Sequence, residues 1–266
     1  TLTPRYHLRS LPDGSGPLQL TVDDTLYSGC DLRLDNSLEV SAQQADPQLS
    51  FQSGQDVLLI NNPLAGDAGR VLVNLEGNGG RLSVRANSFN SEGVLSTQSD
   101  ATTPRGRGPE IDAALTQNFS LLGGSAFTRA SSDQTAGDIR IQAGESVRLL
   151  DNSGITSLGL AGNTGVNTGA ISIEAGNTLS LENSVILTTS EATAGKGYLS
   201  AQNIVLNGTA CQVLIASDTT ELSTGNAGDI TLKATEAIEL IGNVPGPFNL
   251  PQLQTFTSED VIAQSF

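Results

Sequence analysis

Three times in this chain, a pair of three-residue alternations recurs with the same spacing. Ile139-Arg-Ile141 is followed by Val147-Arg-Leu149, Ile171-Ser-Ile173 by Leu179-Ser-Leu181, and Ile230-Thr-Leu232 by Ile238-Glu-Leu240. Five residues separate the members of each pair, and each copy is entered through a glycine, at Gly137-Asp138, Gly169-Ala170 and Gly228-Asp229. Leu49-Ser-Phe51 with Val57-Leu-Leu59, and Ile111-Asp-Ala113 with Phe119-Ser-Leu121, keep the same gap in weaker spelling. An apolar–polar–apolar alternation places one face in a core and the other in water. Its recurrence every few dozen residues marks a repeat, in which each unit buries its apolar face against the next.

Strands of about three residues are too short to hold a hairpin sheet together. Their hydrogen bonds must come from the equivalent strand of the next repeat, running parallel. Parallel strands in α/β folds need helical crossovers, and no helical stretch of ten or more residues lies between these. The reading that meets both demands is an all-β parallel β-helix, a solenoid with three short strands per coil. A third apolar element is expected six residues after the second strand, at Phe127, Ile155 and Leu187. First strands are expected to begin at Leu49, Val71, Ile111, Ile139, Ile171, Leu199 and Ile230. Leu82-Ser-Val84 fits either a second strand after a long turn or the first strand of another coil. At Leu199-Ser-Ala201 the gap shrinks, with Ile204-Val-Leu206 following almost at once.

Length variation concentrates at one corner, in residues 158–168, 189–196 and 217–227, which are rich in Gly, Asn, Thr and Ser. A solenoid tolerates insertions there because they leave the stack undisturbed. Residues 1–45 hold alternating pieces without a clear register, residues 46–244 carry the β-helix repeats, and residues 245–266 are a proline-containing loop or a truncated coil.

The net charge of −15 argues against nucleic-acid partners, whose phosphates need a basic face. Charged residues make up only 15% of the chain, so Ser, Thr, Asn, Gln and Gly carry the solvation, as in extracellular β-proteins. No transmembrane segment is expected, because no apolar run approaches the ~20 residues needed to cross a bilayer. The chain lacks Met and any charged-then-apolar leader, which reads as an internal piece of a longer secreted chain. Cys30 and Cys211 would lie at least five coils apart, roughly 24 Å at ~4.8 Å per layer. A disulfide spans at most about 7 Å between α-carbons, so both are expected to remain thiols.

Segments such as Thr224-Gly-Asn-Ala-Gly-Asp-Ile-Thr-Leu232 and Gly195-Lys-Gly-Tyr-Leu-Ser-Ala-Gln-Asn-Ile-Val-Leu-Asn-Gly208 resemble the repeats of large filamentous-haemagglutinin-like exoproteins, especially the cyanobacterial ones. The resemblance covers about Leu49 to Gly242. It implies a right-handed parallel β-helix, secreted by the two-partner route through a cognate outer-membrane transporter to the bacterial cell surface. It also implies a role in adhesion, with cell-surface glycans or other cells as partners. Residues 1–45 show no match to the family's secretion-signal motifs, which places that domain upstream. The haem use sometimes ascribed to the family finds no support, since the chain has one histidine, His7, and no Cys-x-x-Cys-His.

No pattern of chemistry-bearing residues rises above the repeat. Asp138 and Asp229 precede equivalent strands and suggest calcium ligands on a corner, but Ala170 occupies the column between them, so turn formation is the reading adopted. A carbohydrate-active β-helix enzyme, lyase or hydrolase, is the alternative; hydrolysis wants two carboxyls ~5–10 Å apart. Asp23 and Asp24 are adjacent and point to opposite faces, Glu145 and Glu236 share a column three coils apart, and Glu174 and Glu182 flank a corner. His7 reads as a solvated residue, Arg105 and Arg107 as a solvated loop able to touch an anionic glycan, and Gly77-Asn-Gly-Gly80 as a turn without the Lys-Ser/Thr of a phosphate loop. The expectation is an extracellular structural or adhesive segment, or a passive spacer in a filament, with no catalytic residues, cofactor or metal.

Overall fold

The computed structural model describes residues 7–8, 18–19, 24–34, 38–61, 71–99, 106–130, 134–159, 166–209, 212–219, 225–242, 255–256 and 261–263. For 7–8, 18–19, 24, 38–45, 255–256 and 261–263 it describes the backbone alone. Every described element is a strand, and the strands stack in parallel as three files of a β-helix. The first file is β3 (Asp24–Ser28), β6 (Gln48–Ser53), β9 (Arg81–Ala86), β12 (Glu110–Leu115), β15 (Ile139–Ala143), β18 (Ile171–Ala175) and the first halves of β21 (Gly197–Asn207) and β23 (Ile230–Ile241). The second is β1 (His7–Leu8), β4 (Leu32–Leu34), β7 (Asp56–Leu59), β10 (Ser88–Ser91), β13 (Asn118–Leu122), β16 (Ser146–Leu150), β19 (Thr178–Glu182) and the second halves of β21 and β23. The third is β2 (Leu18–Gln19), β5 (Leu38–Ala45), β8 (Leu72–Asn78), β11 (Val94–Ser99), β14 (Ser125–Ala130), β17 (Gly154–Gly159), β20 (Val185–Ser190) and β22 (Leu214–Thr219). Two short strands, β24 (Thr255–Phe256) and β25 (Val261–Ala263), run antiparallel along β23.

The alternation does what its period requires. Leu49, Leu82, Ile111, Ile139 and Ile171 form one inward column, with Phe51, Val84, Ala113, Ile141 and Ile173 two residues on. All ten are buried, and the files enclose one continuous core. Each such Leu or Ile contributes roughly 1.5–3 kcal/mol of burial. Coils keep similar cross-sections by trading volumes. Phe119 stacks on Phe89 at 5.2 Å between ring centroids, and its coil places Ala113 and Ala126 where the next coil has Ile141 and Ile155.

Several expectations are corrected. Val71 does not open a first strand; it precedes β8, a third-file strand paired with β5 and β11. The coil that ends in β8 begins with β6, and the next begins with β9, so Leu82-Ser-Val84 is the first strand of a coil of its own. Phe127 and Leu187 belong to the third file but point outward and are half-buried, while Ala126 and Ile186 share the inward column with Ile155. That is a one-residue error, which on a strand reverses the face. Gly197, not Leu199, stands level with Ile171, and Leu199 pairs with Ile173.

The shortened corner is real. One residue, Gln202, lies between Ala201 and Asn203, where β18 and β19 are joined through Gly176-Asn177, and β21 runs unbroken through the bend. Because β21 and β23 both do this, the first two files join into one 17-stranded sheet, apart from the 8-stranded third file. In residues 1–45, Leu32 and Leu34 pair with Val57 and Leu59, and Leu38 pairs with Val73. The register there, which the sequence left open, continues the files.

Candidate functional site

The glycine that enters each coil is fixed by close approach. Gly137, Gly169, Gly195 and Gly228 stack at the corner between third and first files. A Cβ on Gly169, Gly195 or Gly228 would collide with the carbonyl oxygen of the glycine one coil below, and on Gly137 with that of Pro109. Across from them runs an internal hydroxyl column absent from the sequence reading: Thr97, Thr128, Ser157, Thr188 and Ser217, all buried. Thr97 donates to the Pro109 carbonyl at 2.6 Å, Thr128 to Gly137 at 2.7 Å and Thr188 to Gly195 at 2.8 Å. Ser157 and Ser217 accept the N–H groups of Gly169 and Gly228 at 3.0 and 2.7 Å. Buried polar groups need such partners, and here the third file supplies them to the tight corner.

The variable corner is less loose than its composition suggests. Arg107, Thr135 and Asn167 stack by parallel bridges outside the three files. Beside them Ala130, Ala136 and Val166 form a small satellite core. Gly159 is buried, and the Thr168 hydroxyl accepts the Gly195 N–H at 2.7 Å. The segment 158–168, expected as turn and loop, is thus held at both ends; residues 160–165 lie outside the described residues.

Asp138 and Asp229 occupy one corner column, with Ala170 and Lys196 between them. Asp138 accepts the Ala170 N–H at 2.8 Å through Oδ1 and pairs with Arg107 through Oδ2. Asp229 pairs with Lys196 at 3.4 Å, both largely in water. Each acid thus answers a base of a neighbouring coil, and Asp138 also receives the corner N–H of the next coil. Among the described residues no group of three His, Cys, Asp or Glu could hold a metal ion.

The paired-carboxylate candidates are not brought together as a hydrolytic pair. Glu145 and Glu236 are exposed on the corner between the first two files, next to Asn118 and Asn203, with Asn177 and Gln202 between them. Glu174 nears one end of the bend after β18 and accepts from Gln142 at 3.4 Å, whereas Glu182 closes β19 at the opposite corner. Asp23 lies outside the described residues, and Asp24 opens β3. His7 is placed by its backbone beside Arg33. Arg107 is not a loose loop residue: its N–H donates to Asn78 Oδ1 at 3.1 Å. Arg105 and Cys211 are outside the described residues, and Cys30 carries a half-buried thiol in the bend after β3. Gly79 and Gly80 have φ of 72° and 87°, the turn conformation expected of that segment.

The outward faces differ in chemistry. On the first file Arg81 and Arg85 bind Asp112, at 3.5 and 2.5 Å, and Arg81 also reaches Glu110. On the third file Leu72, Phe127, Leu158, Val185, Leu187 and Leu214 point outward, half-buried. No helix long and apolar enough to cross a membrane is present among the described residues. Comparison with protein-family models, with curated proteins and with solved structures gives no match. The class that the geometry defines is the parallel β-helix, a repeat protein whose stack compels its shape.

Proposed function

We propose that this chain is an extracellular structural or adhesive β-helix segment of a large secreted bacterial surface protein, of the filamentous-haemagglutinin-like kind, and that it is not an enzyme. In this reading it leaves the cell through an outer-membrane transporter of the two-partner type and attaches to cell-surface glycans or other cells through its corner loops. The observation that carries the reading is the arrangement of the repeat itself. The apolar columns are spent on the stack, while the connections vary in length mainly at the corner between third and first files, with a further long connection, residues 60–71, between β7 and β8, so that a scaffold can vary its contacts without disturbing its core. Asp138 and Asp229 are held in ion pairs with neighbouring coils, and Glu145, Glu236 and Glu174 accept from neighbouring Asn and Gln side chains rather than facing one another, which supports a scaffold over a hydrolytic site.

The test is to present the purified protein to a glycan array and to whole cells, and separately to incubate it with acidic polysaccharides. Saturable binding without new reducing ends or unsaturated products is expected. Release of such products would make the chain a carbohydrate-active enzyme; absence of any binding would leave it a spacer within a filament.

A further inference from the structure

The outward side chains of the third file fall into three columns across β14, β17, β20 and β22. The first column reads Ser125, Gly154, Val185, Leu214. The second reads Phe127, Thr156, Leu187, Ala216, and the third closes on a charge at each end, Arg129 through Leu158 and Thr189 to Asp218. Arg129 and Asp218 are exposed, and neither has an ion pair among the described residues. The apolar members are half-buried by their neighbours on the same sheet.

Each column complements its own reverse. Sheets packed face to face lie about 10 Å apart with interdigitating side chains, so a bulky residue needs a small one opposite. Turning a second sheet end for end sets Phe127 against Ala216, Leu214 against Ser125 and Val185 against Gly154. Leu187 then meets Thr156, Leu158 meets Thr189, and Arg129 meets Asp218. Other placements lose the match. An axis along the solenoid would put Leu214 against Asp218 and Phe127 against itself, and an axis on β17 would put Phe127 against Leu187. Because the complement of each residue lies on the same face, the occupant this pattern specifies is the face itself.

We propose that the outer face of the third file is a docking surface for a second copy of this chain. The two solenoids lie antiparallel about a two-fold axis that runs along the strands between β17 and β20. Such an interface is isologous and closes at two copies. Four strands of six residues make a face of roughly 19 by 20 Å, about 400 Å² on each copy. That is the size of a weak, reversible contact. The net charge of −15 on each copy opposes it until salt screens the repulsion. The inference stands on the registers of the third file and does not rest on the adhesive reading above.

The test is sedimentation velocity of the full chain from about 1 µM to 1 mM in about 0.15 M salt. A reversible monomer–dimer equilibrium is expected. Arg129→Asp brings two carboxylates together and should weaken the dimer at least about tenfold; Asp218→Arg should do the same with two guanidinium groups. Mixing these two variants restores opposite charges at every such contact and should recover the dimer. Arg148→Asp, at an exposed arginine on the outer side of β16, makes the same change in net charge and should leave association as it was. Circular dichroism of each variant checks that the stack is intact. A dimer that survives both charge swaps, a mixture that fails to recover it, or an equal loss in Arg148→Asp overturns the proposal. A monomer at every concentration also overturns it, and is the outcome expected if another stretch of the same chain covers the face.

Discussion

At the scale of single residues, the stack turns small changes into large ones. Leu181 is fully buried between Leu149 and Leu206. Leu181→Asp should cost several kcal/mol, since an unpaired charge would enter the core; an unchanged melting curve would refute its inward placement. The corner glycines make a sharper pair. Gly169→Ala meets the Gly137 carbonyl and should lower stability by about 2 kcal/mol or more, whereas a Cβ on Gly154 meets only Thr156 Cγ2 at 4.0 Å and should change it by less than about 0.5 kcal/mol. Chemical denaturation of the two alanine variants, side by side, checks this. Thr128→Val keeps the shape but removes the donor to Gly137, and a loss of about 1–3 kcal/mol is expected in the same assay.

At the scale of the strand, face is decided by register, and register was only partly readable. The first and second files announce themselves by period two, and their inward residues match the alternation at Ile139, Ile141, Val147 and Leu149. The third file does not, because Phe127 and Leu187 are apolar yet face outward, and Thr128 and Thr188 are polar yet face inward. A reading that equates apolar with inward must then slip by one. Phe127→Thr should therefore cost less than about 1.5 kcal/mol, while Ile155→Asp should unfold neighbouring coils; thermal melts of both variants distinguish the outward from the inward assignment. The hydroxyl column escaped notice for a related reason. Thr128 precedes its glycine by nine residues and Ser157 by twelve, so no fixed spacing marks the pair.

At the scale of the molecule, each coil touches chiefly its neighbours, and stability should grade along the axis rather than be shared evenly. Amide hydrogen exchange should find β15, β16, β18 and β19 most protected, with β22 and β23 opening first, because core residues at that end are incompletely covered. Uniform protection from β6 to β23 would contradict a nearest-neighbour stack.

The sequence by itself determined the repeat, the all-β parallel architecture and the glycine entry to each coil, since these follow from period and from strand length too short for any other pairing. Tertiary structure decided where each coil begins and which face of the third file is interior. Those depend on contacts between residues about 30 apart, such as Thr128 with Ser157 or Leu206 with Leu240, which no local pattern records. The physical reason is that a strand's two faces become different only when the next coil closes over one of them.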